Sequence, residues 1–130
     1  MAILKANTGI GITNPTSALH VAGDGRFVGN VIATGTVTAN SDLKIKTNIK
    51  TIDNALEKVL SLRGVEYDRT DIKDHQIGII AQEVEKIIPE VVYGEDIKSV
   101  AYGNLIGLLI EAIKEQNQRI EILENKLREE

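Results

Sequence analysis

Residues 102–130 read YGNLIGLLIEAIKEQNQRIEILENKLREE, and the spacing of the aliphatic residues in this stretch decides the architecture. There is no proline, and no glycine after Gly107. Ile106, Ile113, Ile120 and Leu127 stand seven apart, and Leu109, Gln116 and Leu123 each follow three positions later. These are the a and d positions of a heptad sustained for about three repeats, so residues 102–130 are predicted to form one long helix. Arg119 falls at g and Glu124 at the following e, a spacing suited to an interhelical ion pair. A lone surface helix would leave this row of large aliphatics in water. Self-association covers it most simply; the other possibility is that the helix packs back on its own domain. Isoleucine at a with leucine at d nominally favours two strands, while the polar Gln116 layer argues against counting strands from those residues alone.

Upstream, residues 41–100 are charged and alternating. Ile52, Leu56, Val59 and Leu60 follow helical spacing through Ile52–Leu62, with Gly64 as a stop. Gly64–Asp68 alternates as a strand, Asp68–Gln76 is a polar loop, and Ile77-Gly78-Ile79-Ile80 is apolar. A second helix is expected over Gln82–Ile88, ending at Pro89, followed by short strands at Val91–Tyr93 and Lys98–Val100 around a Gly94-Glu95-Asp96 turn. The mixture predicts a small α+β unit.

Residues 6–40 differ again. Gly, Thr, Val, Ala and Asn dominate, Asn14-Pro15 marks a turn, and Thr34–Thr38 is rich in β-branched residues and reads as a strand. No piece is long or apolar enough to build its own core, and isolated strand pairs are marginal. This arm is therefore expected to gain order by pairing with other copies of itself. The chain divides into a β-rich stub at 1–40 and a domain at 41–130. The pattern that begins directly after Met1-Ala2 is expected to continue a longer polypeptide.

Composition narrows the function. Fifteen Lys plus Arg against nineteen Asp plus Glu give a net charge of −4, without the basic footprint of nonspecific nucleic-acid binding. Aromatics are 3% of the 130 residues, which leaves few rings for stacking bases. The absence of cysteine removes disulfides, zinc–thiolate sites and a cysteine nucleophile. No apolar run approaches the ~20 residues that span a bilayer, and no charged-then-apolar signal pattern opens the chain. His20 and His75 are too far apart in sequence to suggest a metal, and both are expected to be solvated. The glycines of the arm precede no phosphate-loop signature. The expectation is a soluble aliphatic protein made in the cytoplasm, with no cofactor, metal, nucleic acid or membrane partner.

The candidate for chemistry is Ser41-Asp42-Leu43-Lys44-Ile45-Lys46-Thr47-Asn48-Ile49, where the two compositions meet. A serine and a lysine form a hydrolytic pair without histidine only if burial or nearby charge strips the lysine of its proton. Spacing alone does not deliver that geometry. Residues 41 and 46 point to opposite faces of a straight strand and lie about 140° apart on a helix. A bend between them, or a meeting across two copies, is required. The plain alternative is a capped turn with Lys44, Lys46 and Lys50 as solvated charge.

The segment Ser41-Asp42-x-Lys44-x-Lys46-x-Asn48-Ile49 resembles the opening of the intramolecular chaperone family found at the C-termini of endosialidases and phage tail fibres. The likeness continues through Leu56-Glu57-Lys58, Leu62-x-Gly64-Val65-x-Tyr67, Gly78-Ile79-Ile80-Ala81-Gln82-Glu83-Val84, Ile88-Pro89-Glu90-Val91-Val92, and Val100-x-Tyr102 into Leu105 and Ile113-Lys114. Gly9–Pro15 with Leu19–Gly23 is similar to a segment that often precedes this domain in phage and bacterial surface fibres. The resemblance implies a homotrimer that registers an upstream fibre of the same polypeptide and then cuts itself off before its first serine. Carried over, the scissile bond is Asn40–Ser41, Ser41 is the nucleophile and Lys46 the general base. Lys44 stands where the family often has arginine, and Asp42 either supports the turn or orients a lysine. The implied setting is a virion-associated precursor made in host cytoplasm, whose chaperone part is released. Two other readings keep the fold: a permanent trimeric fibre tip that meets a host surface without cutting, and the same domain in a cellular protein such as a membrane-tethered transcription factor. Gln82 is expected to start a helix or to pack, with an oxyanion role the lesser alternative. Tyr67 and Tyr102 are expected to be core or interface rings.

Overall fold

The computed structural model describes residues 6–130, so the opening Met1-Ala2 lies outside the described residues. The chain divides into two compact units, the first ending at Ile45 and the second running from Lys46 to Glu130.

In the first unit, β1 (Thr8–Ile10) and β2 (Leu19–Val21) pair in parallel, with Thr8 opposite Leu19 and Ile10 opposite Val21. The loop between them is fastened at both ends. Asn7 donates from Nδ2 to the Pro15 carbonyl at 3.1 Å, and the Thr16 amide donates to Nδ1 of His20 at 3.3 Å. His20 is thus half-buried and hydrogen-bonded rather than simply solvated. Thr34–Thr38, read as a strand from its β-branched residues, has no regular structure. Strand propensity expresses itself only when a neighbouring strand offers the ladder. No described residue of this unit is buried.

The second unit holds the whole buried core of the described residues: Ala55, Leu56, Val84, Val91, Leu108 and Ala112. Helix α1 spans Ala55–Leu60. It starts three residues later than the hydrophobic spacing suggests, because Asn54 sits in the left-handed region at φ 52°. β3 (Val65–Asp68) and β4 (His75–Gly78) form an antiparallel hairpin whose register pairs Val65 with Gly78 and Tyr67 with Gln76 on the half-buried face. The apolar run 77–80 is therefore only partly strand, since Ile79 and Ile80 lead into α2 (Ala81–Glu85). Gly78 is fixed by close approach. A Cβ there would lie 2.6 Å from the Tyr102 hydroxyl, which accepts the Ile79 amide at 3.3 Å. A 3-10 turn at Pro89–Val91 leads to β5 (Val92–Tyr93), which pairs antiparallel with β6 (Ser99–Val100) around the expected turn. Gly94 occupies that turn at φ 90°, where an L side chain is strained. Lys98 ties the hairpin to α2 through a 2.8 Å ion pair with Glu85.

Helix α3 runs from Leu105 to Glu129, confirming the long helix. Its residues are mostly strong helix formers, but its placement comes from packing. Leu105, Leu108 and Ala112 lie against Ala55, Leu56, Ile52 and Val59. Glu115 completes this stripe. Its two carboxylate oxygens accept the Ala55 and Leu56 amides, each at 2.9 Å. The Asn54 side chain makes no cap, so a carboxylate sixty residues away satisfies the first amides of α1.

Candidate functional site

Two features stand out from the fold: the junction at Asn40–Lys46, and the outer face of α3.

The junction begins at Asn40 and Ser41 in exposed backbone without regular secondary structure. A single 3-10 turn follows at Leu43–Ile45. Asp42 closes it twice. Its Oδ1 accepts the Lys44 amide at 2.8 Å, and its own carbonyl accepts the Ile45 amide at 3.2 Å. Asp42 and Lys44 are therefore brought together through the lysine backbone. Ser41 belongs to the first compact unit and Lys46 opens the second; both side chains are exposed, and both have interaction partners. Beyond Lys46, Asn48 takes a left-handed conformation at φ 51°, a backbone that asparagine tolerates better than most residues. The capped turn that is the plain alternative for this segment is thus present at residues 42–45.

On α3 the heptad residues form a second stripe, displaced by one position, or about 100°, from the stripe that packs on α1. Ile106, Leu109, Ile113, Ile120, Leu123 and Leu127 are 46–71% exposed. Gln116 is exposed in the same row, and from it to the end of the helix every residue is exposed. Packing back on its own domain is therefore observed for one face of the helix. The Leu105–Glu115 stripe packs on its own domain, and the a/d seam remains uncovered.

Charge around the second unit is mostly local pairing. Two backbone amides hold the Glu115 carboxyl below its usual range. Arg63 grips Glu83 with Nε and Nη2, lowering the Glu83 carboxyl and raising its own guanidinium. Arg69 does the same with Asp71, and His75 Nδ1 lies 2.8 Å from Asp68 across the hairpin mouth. His75 is solvated as expected, but also paired. Gln82, in the first turn of α2, borders a cleft of about 350 Å³ with Tyr67, Lys98 and Tyr102. Among the described residues, no group of three or more His, Cys, Asp or Glu could hold a metal ion. Nor is any helix long and apolar enough to cross a membrane. Sequence reading missed Glu115, Arg63 and Glu83, because each is defined by a partner 20 or more residues away.

Comparison with known proteins adds to this geometry. Residues 41–93 match a family model that is named for a peptidase and described as the chaperone of endosialidase. The match begins at Ser41. The chain is 37% identical over 102 residues to the long tail fiber protein Gp37 of Enterobacteria phage K3, covering 70% of this chain and 8% of that protein. It is 38% identical over 103 residues to the same-named protein of Enterobacteria phage M1, covering 70% of this chain and 41% of that one. An uncharacterized membrane protein of Dictyostelium discoideum is 30% identical over 137 residues, 90% of this chain and 7% of its own length. The chain thus spans less than half of each of these relatives.

Proposed function

We propose that the chain, whose residues 41–93 match the chaperone of endosialidase family, gathers three copies of itself, sets the register of an upstream tail-fibre segment, and then cuts itself free at Asn40–Ser41. The observation that carries this reading is the uncovered a/d seam of α3 beside a stripe already packed on α1. A heptad seam fits another copy of the same helix better than any unrelated surface, because each knob finds its own repeat of holes. Relatives named as long tail fibers support a virion-associated setting; the reading adds a precursor made in host cytoplasm, with its fibre upstream in the same polypeptide.

The division of labour follows from burial. The arm has no buried residue among those described, so three arms brought together at random cannot offset the entropy of association. The second unit has its own core and a helix that forms from local contacts. Once three helices join, the arms are held at high effective concentration and can pair in register.

In the cleavage step the Ser41 hydroxyl oxygen attacks the Asn40 carbonyl carbon as a neutral Lys46 amine takes its proton. The Asn40–Ser41 C–N bond breaks, the Ser41 nitrogen leaves with that proton as an amine, and Asn40 is held as an ester on Ser41 Oγ. Water then adds to the ester, releasing Asn40 as a carboxylic acid and restoring the hydroxyl. Both side chains are exposed in the single chain, so desolvation of Lys46 is assigned to the assembled state. Cutting is thereby coupled to completed folding, and loss of the tether makes the product kinetically persistent.

Freshly produced protein is resolved on a denaturing gel and weighed intact. The expected result is a fragment starting at Ser41 that is absent from Ser41→Ala and Lys46→Ala, with a native mass of three chains. Uncut chains in a stable trimer favour the permanent fibre tip instead. A monomer at micromolar concentration overturns both.

A further inference from the structure

We propose that Asp42 is a positioning residue for the self-cleavage, holding the turn between Ser41 and Lys46 through its side-chain oxygen rather than through its charge; this inference rests on the reading above. The turn Leu43–Ile45 is closed by hydrogen bonds rather than by burial. Leu43 and Ile45 are 72% and 66% exposed, so packing within the chain contributes little to its shape. Its closure depends on two acceptors, both supplied by Asp42: Oδ1 for the Lys44 amide at 2.8 Å and the backbone carbonyl for the Ile45 amide at 3.2 Å. The carbonyl survives any substitution, whereas the side-chain bond does not. Without it the Lys44 amide loses its acceptor, and the segment is free to sample extended conformations.

That freedom matters because extension places positions 41 and 46 on opposite faces. A serine and its base must meet within hydrogen-bond reach for proton transfer. The cap therefore raises the fraction of chains in which the two side chains leave the backbone on compatible sides. Asparagine presents an acceptor oxygen at the same distance from the backbone and should substitute. Glutamate keeps the charge but moves its oxygens one methylene outward, and alanine has no acceptor. A purely electrostatic role, in which the carboxylate orients or tunes a lysine, predicts the reverse order: glutamate tolerated, asparagine not.

The 130-residue chain is produced rapidly as wild type, Asp42→Asn, Asp42→Glu and Asp42→Ala, and scission at Asn40–Ser41 is timed by intact mass at several pH values. Native mass is recorded for each. The expected result is that Asp42→Asn cuts within about twofold of wild type with the same pH profile. Asp42→Ala and Asp42→Glu are expected to be slowed by about two- to thirtyfold, the span that helix caps confer on a conformational equilibrium. Amide exchange in an uncut Ser41→Ala background adds a readout independent of activity: Lys44 N–H protection should survive Asp42→Asn and fall with Asp42→Ala. Wild type that cuts while Asp42→Ala cuts equally fast overturns the positioning role alone. So does an asparagine variant as slow as alanine, or one whose pH profile has moved. Wild type that assembles and never cuts overturns the cleavage reading itself, and the positioning role with it.

Discussion

Because α3 carries two apolar stripes, truncating each should have a different signature. Leu108 is 4% exposed and touches the Ala55–Leu56 side of the core, so Leu108→Ala removes a buried side chain within one chain. Such a change costs about 2–5 kcal/mol, and it should do so at every protein concentration. Ile113, five residues further along, is 64% exposed in the single chain. In a monomer Ile113→Ala should lie within about 0.5 kcal/mol of wild type, as surface changes do. In a three-helix assembly the same change empties one a layer three times over, costing about 6–15 kcal/mol per trimer. Each 1.4 kcal/mol is tenfold, so even the lower bound weakens assembly by about four orders of magnitude. Thermal unfolding at two concentrations a hundredfold apart, with sedimentation at each, separates the cases. Ile113→Ala should make the midpoint strongly concentration-dependent and release monomer at micromolar concentration, whereas Leu108→Ala should lower it at both. An Ile113→Ala protein that keeps its wild-type mass, or loses stability equally at both concentrations, refutes the assignment of the exposed stripe to self-association.

Further outcomes follow from single contacts. Gln116→Leu fills the polar layer of the seam; it should tighten assembly while relaxing its register, read as a higher midpoint with mixed spacings between spin labels placed on α3. Gly78→Ala should cost about 1–3 kcal/mol, because the new Cβ meets the Tyr102 hydroxyl at 2.6 Å. Adding Tyr102→Phe should recover part of this loss, leaving the Ile79 amide without its acceptor. The Glu115 carboxyl is held low by the Ala55 and Leu56 amides, so its contribution is fully present above the unfolded-state value of about 4.3. It is lost as pH falls through the lower folded value. Glu83 and Asp71 are depressed in the same direction, and Glu115→Gln isolates one share: denaturation midpoints from pH 7 to pH 3 should fall less steeply in the variant.

What could be read from the sequence divides along the line between local and distant causes. The long helix and its seam were legible because heptad spacing is local, and α3 covers nearly the whole stretch from Tyr102 onward. The hairpin at 92–100 and the first strand at 65–68 were legible from alternation and turn residues, whereas His75 and Gln76, read as loop, pair with Asp68 and Tyr67 in the second strand. The late start of α1 was not. Helical spacing from Ile52 says nothing about the left-handed Asn54, nor about a cap supplied by Glu115 from another helix. The arm misled in the opposite direction: Thr34–Thr38 has strand-forming residues but no partner strand within one chain. At the junction, a capped turn with Asp42 as its support was already one of the readings; the contact that closes it, Asp42 Oδ1 accepting the Lys44 amide, was not legible.

Under the proposed assembly, the same contrast would set an order in time. Every buried residue among those described lies after Lys46, and the core cluster joins α1 to α3 across about fifty residues of a compact unit. The residues of that core all belong to the second unit, which can therefore settle on its own. α3 is then presented with Leu105, Leu108 and Ala112 already engaged, which fixes which face of the helix remains for a partner. A helix free to rotate could offer either stripe, and copies would meet in several registers. Anchoring one stripe with Glu115 on the first amides of α1 removes that choice before any encounter. If copies assemble as proposed, their register would follow from packing within each one, and weakening the Glu115 anchor should blur it even while every heptad residue is intact.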